Sequence, residues 1–262
     1  VSLSEIEGWL ALATLVAARV GPLTVLLPWL ALRSAPATLR TALVLTLTLA
    51  LAPLTASAID TLPTSLAMLA LLSLRELVVG TVFAVAAGLP FFALAWSGQL
   101  VDTWRGSSLA EVIAPPTGER TSPLGDLLLL GGVALFLALG GHRFALMAFA
   151  EGLVAMPVGS FGLAADLGAV IMGTMHLAGA ALAFSVAIAA PAAVAIVLVE
   201  LGLGLIARSA PQIPVFFAGM PLRAATGIFA LLLAAALVVD ELPGAFEDAT
   251  NAAGAQIQRL SP

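Results

Sequence analysis

The stretch Ser97-Gly98-Gln-Leu-Val-Asp102-Thr-Trp-Arg105-Gly106-Ser-Ser-Leu-Ala-Glu111-Val-Ile-Ala-Pro115-Pro116-Thr-Gly118-Glu119-Arg120-Thr-Ser122-Pro123-Leu-Gly125-Asp126 decides how the rest of the chain is read. It is polar, broken by Pro and Gly, and set between the apolar runs Leu66 to Ala95 and Leu124 to Leu139. Irregular backbone at membrane depth is tolerated only where protein or water surrounds it. A long polar loop in an oily chain therefore points to a conduit, a gate or an assembly surface.

The oiliness is a property of the whole chain. Hydrophobic residues make up 61% and charged residues 10% of 262, and the mean hydropathy is +1.12. Soluble domains carry about 45–50% apolar and about 25% charged residues. The chain belongs in a lipid bilayer, and residues 1–262 read as one all-α integral membrane domain. The 10 basic residues are all Arg and the 15 acidic residues outnumber them, which argues against nucleic-acid binding. With no Cys, disulfides, thiolate metal sites and thiol nucleophiles are excluded.

Further apolar runs lie outward from the loop at Gly8 to Leu32, Leu39 to Ile59, Val170 to Leu205 and Ile213 to Val239. Most reach the ~18 residues of a membrane helix, so about six spans are expected. The run after the loop is shorter and stops at Gly140-Gly141-His142-Arg143 before Phe144 to Val154 resumes, either a broken helix or a helical hairpin. Pro191 favours a kink in the long fifth run. The opening Val1-Ser-Leu-Ser-Glu-Ile-Glu lacks the positive start of a signal peptide, so no cleaved signal is expected. Ser4 and Glu7 have capping-box spacing and predict a helix from the outset. Pro243 to Pro262 is polar enough to emerge as a short terminal segment. Arg33, Arg40, Arg105, Arg120 and Arg208 fall in loops that the positive-inside rule places in the cytoplasm, with the amino terminus outside.

Charges inside the apolar runs are the candidate functional groups. Each costs roughly 2.5–3.5 kcal/mol on insertion scales and needs a partner. Arg75 and Glu76 point about 100° apart on a helix, so partners on neighbouring helices or subunits are expected, and a structural ion pair is favoured over a transport site. Glu200 and Arg208 lie near one helix face but too far apart for direct contact, which assigns them separate partners. Arg19 is expected to snorkel toward an interface if it lies near the helix end, a reading favoured over a functional role. His142 and His176 are isolated, with no zinc motif around them, and no metal is expected. No Walker loop and no Gly-x-Ser-x-Gly elbow occurs, so no enzyme activity and no cofactor are expected.

Three strings occur in order: Arg75-Glu76-Leu-Val-Val-Gly80; Gly98 to Gly106 leading to Pro116 through Gly125; and Ala207-Arg-Ser-Ala-Pro-Gln-Ile-Pro-Val-Phe-Phe-Ala-Gly-Met-Pro-Leu-Arg223. Together they resemble the SctT/FliR family of type III secretion export-apparatus proteins, over nearly the whole chain. Asp102 to Gly106 and Thr121 to Gly125 look more like the virulence branch than the flagellar one. Trp104 departs from the polar residue expected before the Arg, and Pro214 from the expected Asn. Arg223 stands where a basic residue, often Lys, is expected.

The resemblance implies a multi-pass subunit of the bacterial inner membrane, built of bent helical hairpins within a hetero-oligomeric export gate that passes unfolded proteins. The partners it implies are SctR/FliP-like and SctS/FliQ-like membrane subunits, with SctU/FlhB-like and SctV/FlhA-like components. It implies a plug at Gly106 to Gly125, with Gly106, Glu111, Pro115, Pro116, Gly118, Glu119, Arg120, Pro123 and Gly125 as candidate residues. Arg75, Glu76, Asp102, Arg105, Glu200, Arg208 and Arg223 are the candidate intramembrane or assembly charges. Two other readings compete: a self-contained secondary transporter with Arg75, Glu76, Glu200 and Arg208 near a polar path, and a non-conducting assembly scaffold.

Overall fold

The apolar runs become helices. A computed structural model describes residues 3–30, 36–61, 65–106, 122–159, 167–212 and 214–260. In chain order these form α1 (Leu3–Leu26), α2 (Ala37–Leu51) continued by a 3₁₀ segment (Ala52–Thr61), α3 (Leu66–Trp104), α4 (Pro123–Ala138), α5 (Gly141–Ala155), α6 (Leu167–Ser209), α7 (Val215–Val238) and α8 (Leu242–Leu260). No strand occurs among the described residues. Among the described residues, five helices are long and apolar enough to cross a membrane, and the bent pair α4 and α5 gives a sixth if counted as one span. The protein is an all-α, polytopic membrane protein with about the expected number of spans.

The expected break between α4 and α5 has a local cause. Gly140 takes φ 74°, a left-handed conformation that only Gly adopts without strain, and its N–H caps α4 by donating to Leu137 O at 3.1 Å. The pair is strongly bent at this point. α6, in contrast, runs through Pro191 as one helix.

The chain divides into two compact units, residues 1–89, 136–178 and 246–262 in the first and 90–135 and 179–245 in the second. In the first, α1 presents Leu12, Leu15, Val16, Val20, Leu23 and Leu27 at helical spacing to a core completed by Val79 and Phe83 of α3, Phe149 and Leu153 of α5, and Ala253 and Ile257 of α8. Phe83 meets Phe149 edge-on with ring centroids 5.2 Å apart, a favourable aromatic geometry. The polar tail forms α8. Its Phe246, Ala249, Thr250, Ala253, Gln256 and Ile257 are buried, while Glu247, Asp248 and Arg259 on the other face are exposed. One apolar face of an amphipathic helix suffices to hold a polar segment against the core.

In the second unit, close backbone approaches set the packing. A Cβ on Gly98 of α3 would lie 2.4 Å from Gly125 N and 2.5 Å from Gly125 Cα. One on Gly132 of α4 would lie 2.3 Å from Leu94 Cδ1 of α3. Contacts that run backward along α3 as they run forward along α4 make an antiparallel hairpin. Gly227 of α7 faces Ile196 of α6 and Val101 of α3. Buried hydroxyls inside these helices return to the backbone, as Ser97 Oγ does to Leu94 O at 2.7 Å and Ser185 Oγ to Leu182 O at 2.7 Å, which satisfies them where no water is at hand.

Candidate functional site

Two carboxylates gather the polar groups of these units. In the first unit, Glu76 is fully buried in α3. Its Oε2 accepts from Arg19 Nε of α1 at 2.6 Å and pairs with Arg19 Nη2 at 2.5 Å. Its Oε1 accepts from the Gly159 backbone N–H at 3.2 Å and from Arg75 Nη1 at 3.4 Å. Arg19, also fully buried, donates through Nη1 to Met156 O at 2.7 Å. Three pieces of chain thus meet around one carboxylate: α1, α3 and the turn after α5. The turn supplies its donor because Gly159 takes φ 77°. Gly80, one helical turn beyond Glu76, lets the helices touch, since a Cβ there would lie 2.0 Å from Arg19 O.

Arg19 is therefore a buried ion-pair partner, not a snorkelling side chain. A guanidinium in the middle of an apolar helix is stabilised most where a carboxylate and a backbone carbonyl complete its hydrogen bonds. The sequence held the signal: Glu76 is the acidic residue deep in the third run, Arg19 is a basic residue deep in the first, and each required a partner. Glu76 and Gly80, four apart, also share a helix face.

In the second unit, Asp102 lies near the end of α3 and is 4% exposed. Its Oδ2 accepts from Ser122 Oγ at 2.6 Å and from the Leu124 backbone N–H at 3.0 Å. Its Oδ1 pairs with Arg105 Nη2 at 2.7 Å. Ser122 Oγ in turn accepts from the Gly125 N–H at 3.1 Å, the bond of a helix N-cap, with Pro123 at the first helical position. On the α3 side, Gly106 takes φ 84° and its N–H donates to Thr103 O at 3.2 Å. The polar stretch therefore leaves α3 and enters α4 at two capped ends bridged by one carboxylate. The Ser-Pro-x-Gly pattern at 122–125 was a readable helix start; that Asp102 supplies the acceptor was not.

Gly106, Pro123 and Gly125 are at the two capped ends. Glu111, Pro115, Pro116, Gly118, Glu119 and Arg120 lie outside the described residues. Glu200 of α6 and Arg223 of α7 approach to 3.5 Å. Arg208, near the end of α6, is exposed. Arg75 and Glu76 belong to the first unit, and Asp102, Arg105, Glu200, Arg208 and Arg223 to the second.

Residues 10–249 match the family described as bacterial export proteins, family 1. The chain belongs to this family. It is similar to Yop proteins translocation protein T of Yersinia pestis, 31% identical over 164 residues that cover 61% of this chain and 60% of the relative. It is also similar to flagellar biosynthetic protein FliR of Caulobacter vibrioides, 25% identical over 84% of this chain and 87% of the relative. Secretion system apparatus protein SsaT of Salmonella typhimurium is 28% identical over 60% of each chain. The matched part spans about three-fifths of the Yersinia relative's own length. Family membership and the apolar helices make the chain a multi-pass protein of the bacterial inner membrane, and the resemblance carried by the three strings holds. Its relatives include proteins of both the secretion and the flagellar kinds.

Proposed function

We propose that this chain is a subunit of a type III protein export apparatus that helps form and seal a conduit for unfolded proteins across the inner membrane. The observation that carries the reading is the family match over residues 10–249. The geometry of α6 supports it. Its 43 residues span about 65 Å at 1.5 Å per residue, roughly twice the ~30 Å hydrocarbon layer. Even at a ~40° tilt it would rise about 50 Å. Yet only 28% of its most apolar window is buried, and large apolar side chains are exposed from Ile171 to Ile206. Lipid covers only part of such a helix, so neighbouring protein covers the rest. That favours a subunit over a self-contained transporter.

The partners of this reading are SctR/FliP-like and SctS/FliQ-like membrane subunits, with SctU/FlhB-like and SctV/FlhA-like components and the exported proteins. The virulence branch is favoured by the strings at Asp102 to Gly106 and Thr121 to Gly125. Residues 106–125 are assigned the plug on the family resemblance. The chain performs no covalent reaction; partners and the proton-motive force supply the energy.

The test keeps both capped ends. Replacing residues 107–121 with a short Gly-Ser linker is expected to leave assembly intact and to make membranes carrying the complex permeable to small ions. A membrane that stays sealed, with normal export, would remove the plug assignment. Produced with its neighbours, the chain is expected to co-purify with two other small membrane subunits. Reconstituted alone, it is expected to take up no small solute, and uptake would favour the transporter.

A further inference from the structure

The bridge at Asp102 bears on which parts of the conduit move. It joins helix ends 20 and 22 residues apart in sequence through Ser122 Oγ and the Leu124 N–H. The carboxylate is almost fully buried, so water competes poorly for these bonds and their loss would leave a charged acceptor unsatisfied. Two further features close the same place. Gly98 and Gly125 bring the backbones of α3 and α4 together so tightly that a single Cβ would overlap. Arg105 is held beside Asp102, and its Cβ would lie 3.7 Å from a Cβ on Gly227 of α7, so α7 backs the bridge.

We infer that Asp102 is a positioning residue that latches the end of α3 to the start of α4, and that export proceeds with this helix pair closed. Movement is thereby confined to parts of the assembly other than the α3–α4 junction. The inference rests on the export reading, but the latch itself is a property of the chain alone and is measured separately. Among its partners Asp102 holds the Ser122 and Leu124 donors from the α4 side and the Arg105 cation from the turn that ends α3. Asn at this position keeps an acceptor oxygen for the Ser122 and Leu124 donors and loses the ion pair with Arg105, whereas Ala loses these bonds together.

Spin labels at Thr103→Cys and Leu127→Cys, both exposed positions, read the separation of the two helices. In the purified full-length chain a single narrow distance population is expected. D102A is expected to add a second, longer population, and D102N to stay close to the parent. S122A removes only the bridging hydroxyl and is expected to give the same change in weaker form, which keeps the test available if D102A does not accumulate. In the assembled complex the parent distance is expected to stay unchanged when an export substrate is trapped in transit. An unchanged distance in D102A, or in S122A where D102A is lost, overturns the latch. A longer parent distance in the substrate-trapped complex overturns the closed-pair part. If the chain fails to co-purify with membrane partners, the export reading falls, while the distances in the purified chain still decide the latch.

Discussion

Glu76 and Asp102 are both buried carboxylates that join helices, and they differ in what they join. Glu76 gathers groups remote in sequence: Arg19 is 57 residues before it and the Gly159 N–H 83 residues after it. Asp102 gathers groups 20 and 22 residues away, across one loop. The first forms only when the first unit has assembled around it. The second closes a single hairpin between two adjacent helix ends, with α7 behind it. Sequence separation thus divides a scaffold bond from a local clasp, although the chemistry of the two is similar.

The largest effect expected from breaking this contrast is at Glu76. Glu76→Ala leaves the Arg19 guanidinium buried without its carboxylate and is expected to destabilise the chain by about 3–5 kcal/mol, measured by unfolding in mixed detergent micelles. Replacing both partners, Arg19→Met with Glu76→Leu, is expected to recover most of that loss, because a buried pair repays its desolvation only in part. A double variant as unstable as Glu76→Ala would show that the cluster does more than balance its own charges.

Next come the glycines that let each pair of helices touch. Gly80→Ala places a methyl on Arg19 O, and Gly98→Ala places one on the Gly125 backbone. Both obstacles are main chain and cannot rotate away, so each change is expected to cost about 1–3 kcal/mol. Equal stability of Gly98→Ala and the parent would mean that α3 and α4 are not in contact there. Gly131, one residue before the close-packed Gly132, meets nothing within 4 Å. Gly131→Ala is expected to stabilise α4 by about 0.5–1 kcal/mol, and a loss of that size would reveal a neighbour on that face.

The smallest effect is expected at Glu200, which is 48% exposed and 3.5 Å from Arg223. Glu200→Gln is expected to shift unfolding of the isolated chain by less than about 1 kcal/mol. A much larger loss confined to the assembled complex would assign Glu200 to an interface with another subunit.

Much of the fold was legible in the chain. Runs of apolar residues gave the spans, and Gly140-Gly141 gave the break between α4 and α5. These are local signals, set by helix length against bilayer thickness and by backbone dihedrals. The tail was legible in part: Phe246, Ala249, Thr250, Ala253, Gln256 and Ile257 recur at helical spacing, yet its polar composition suggested an emerging segment. Arg19 does not snorkel because Glu76, remote in sequence, receives its charge inside the first unit.

Hydropathy and ordered motifs, written along the chain, suffice to make this a helical membrane protein of the bacterial export family. The tertiary structure alone decided which charges meet. Arg19 lies against Glu76 because Gly80 admits the α1 backbone, and Asp102 reaches Ser122 where Gly98 and Gly125 let α3 and α4 close. An ionised side chain in an apolar run announces that a partner exists, since leaving it alone is too costly. Which partner it finds depends on how helices distant in sequence approach, and no local pattern records that.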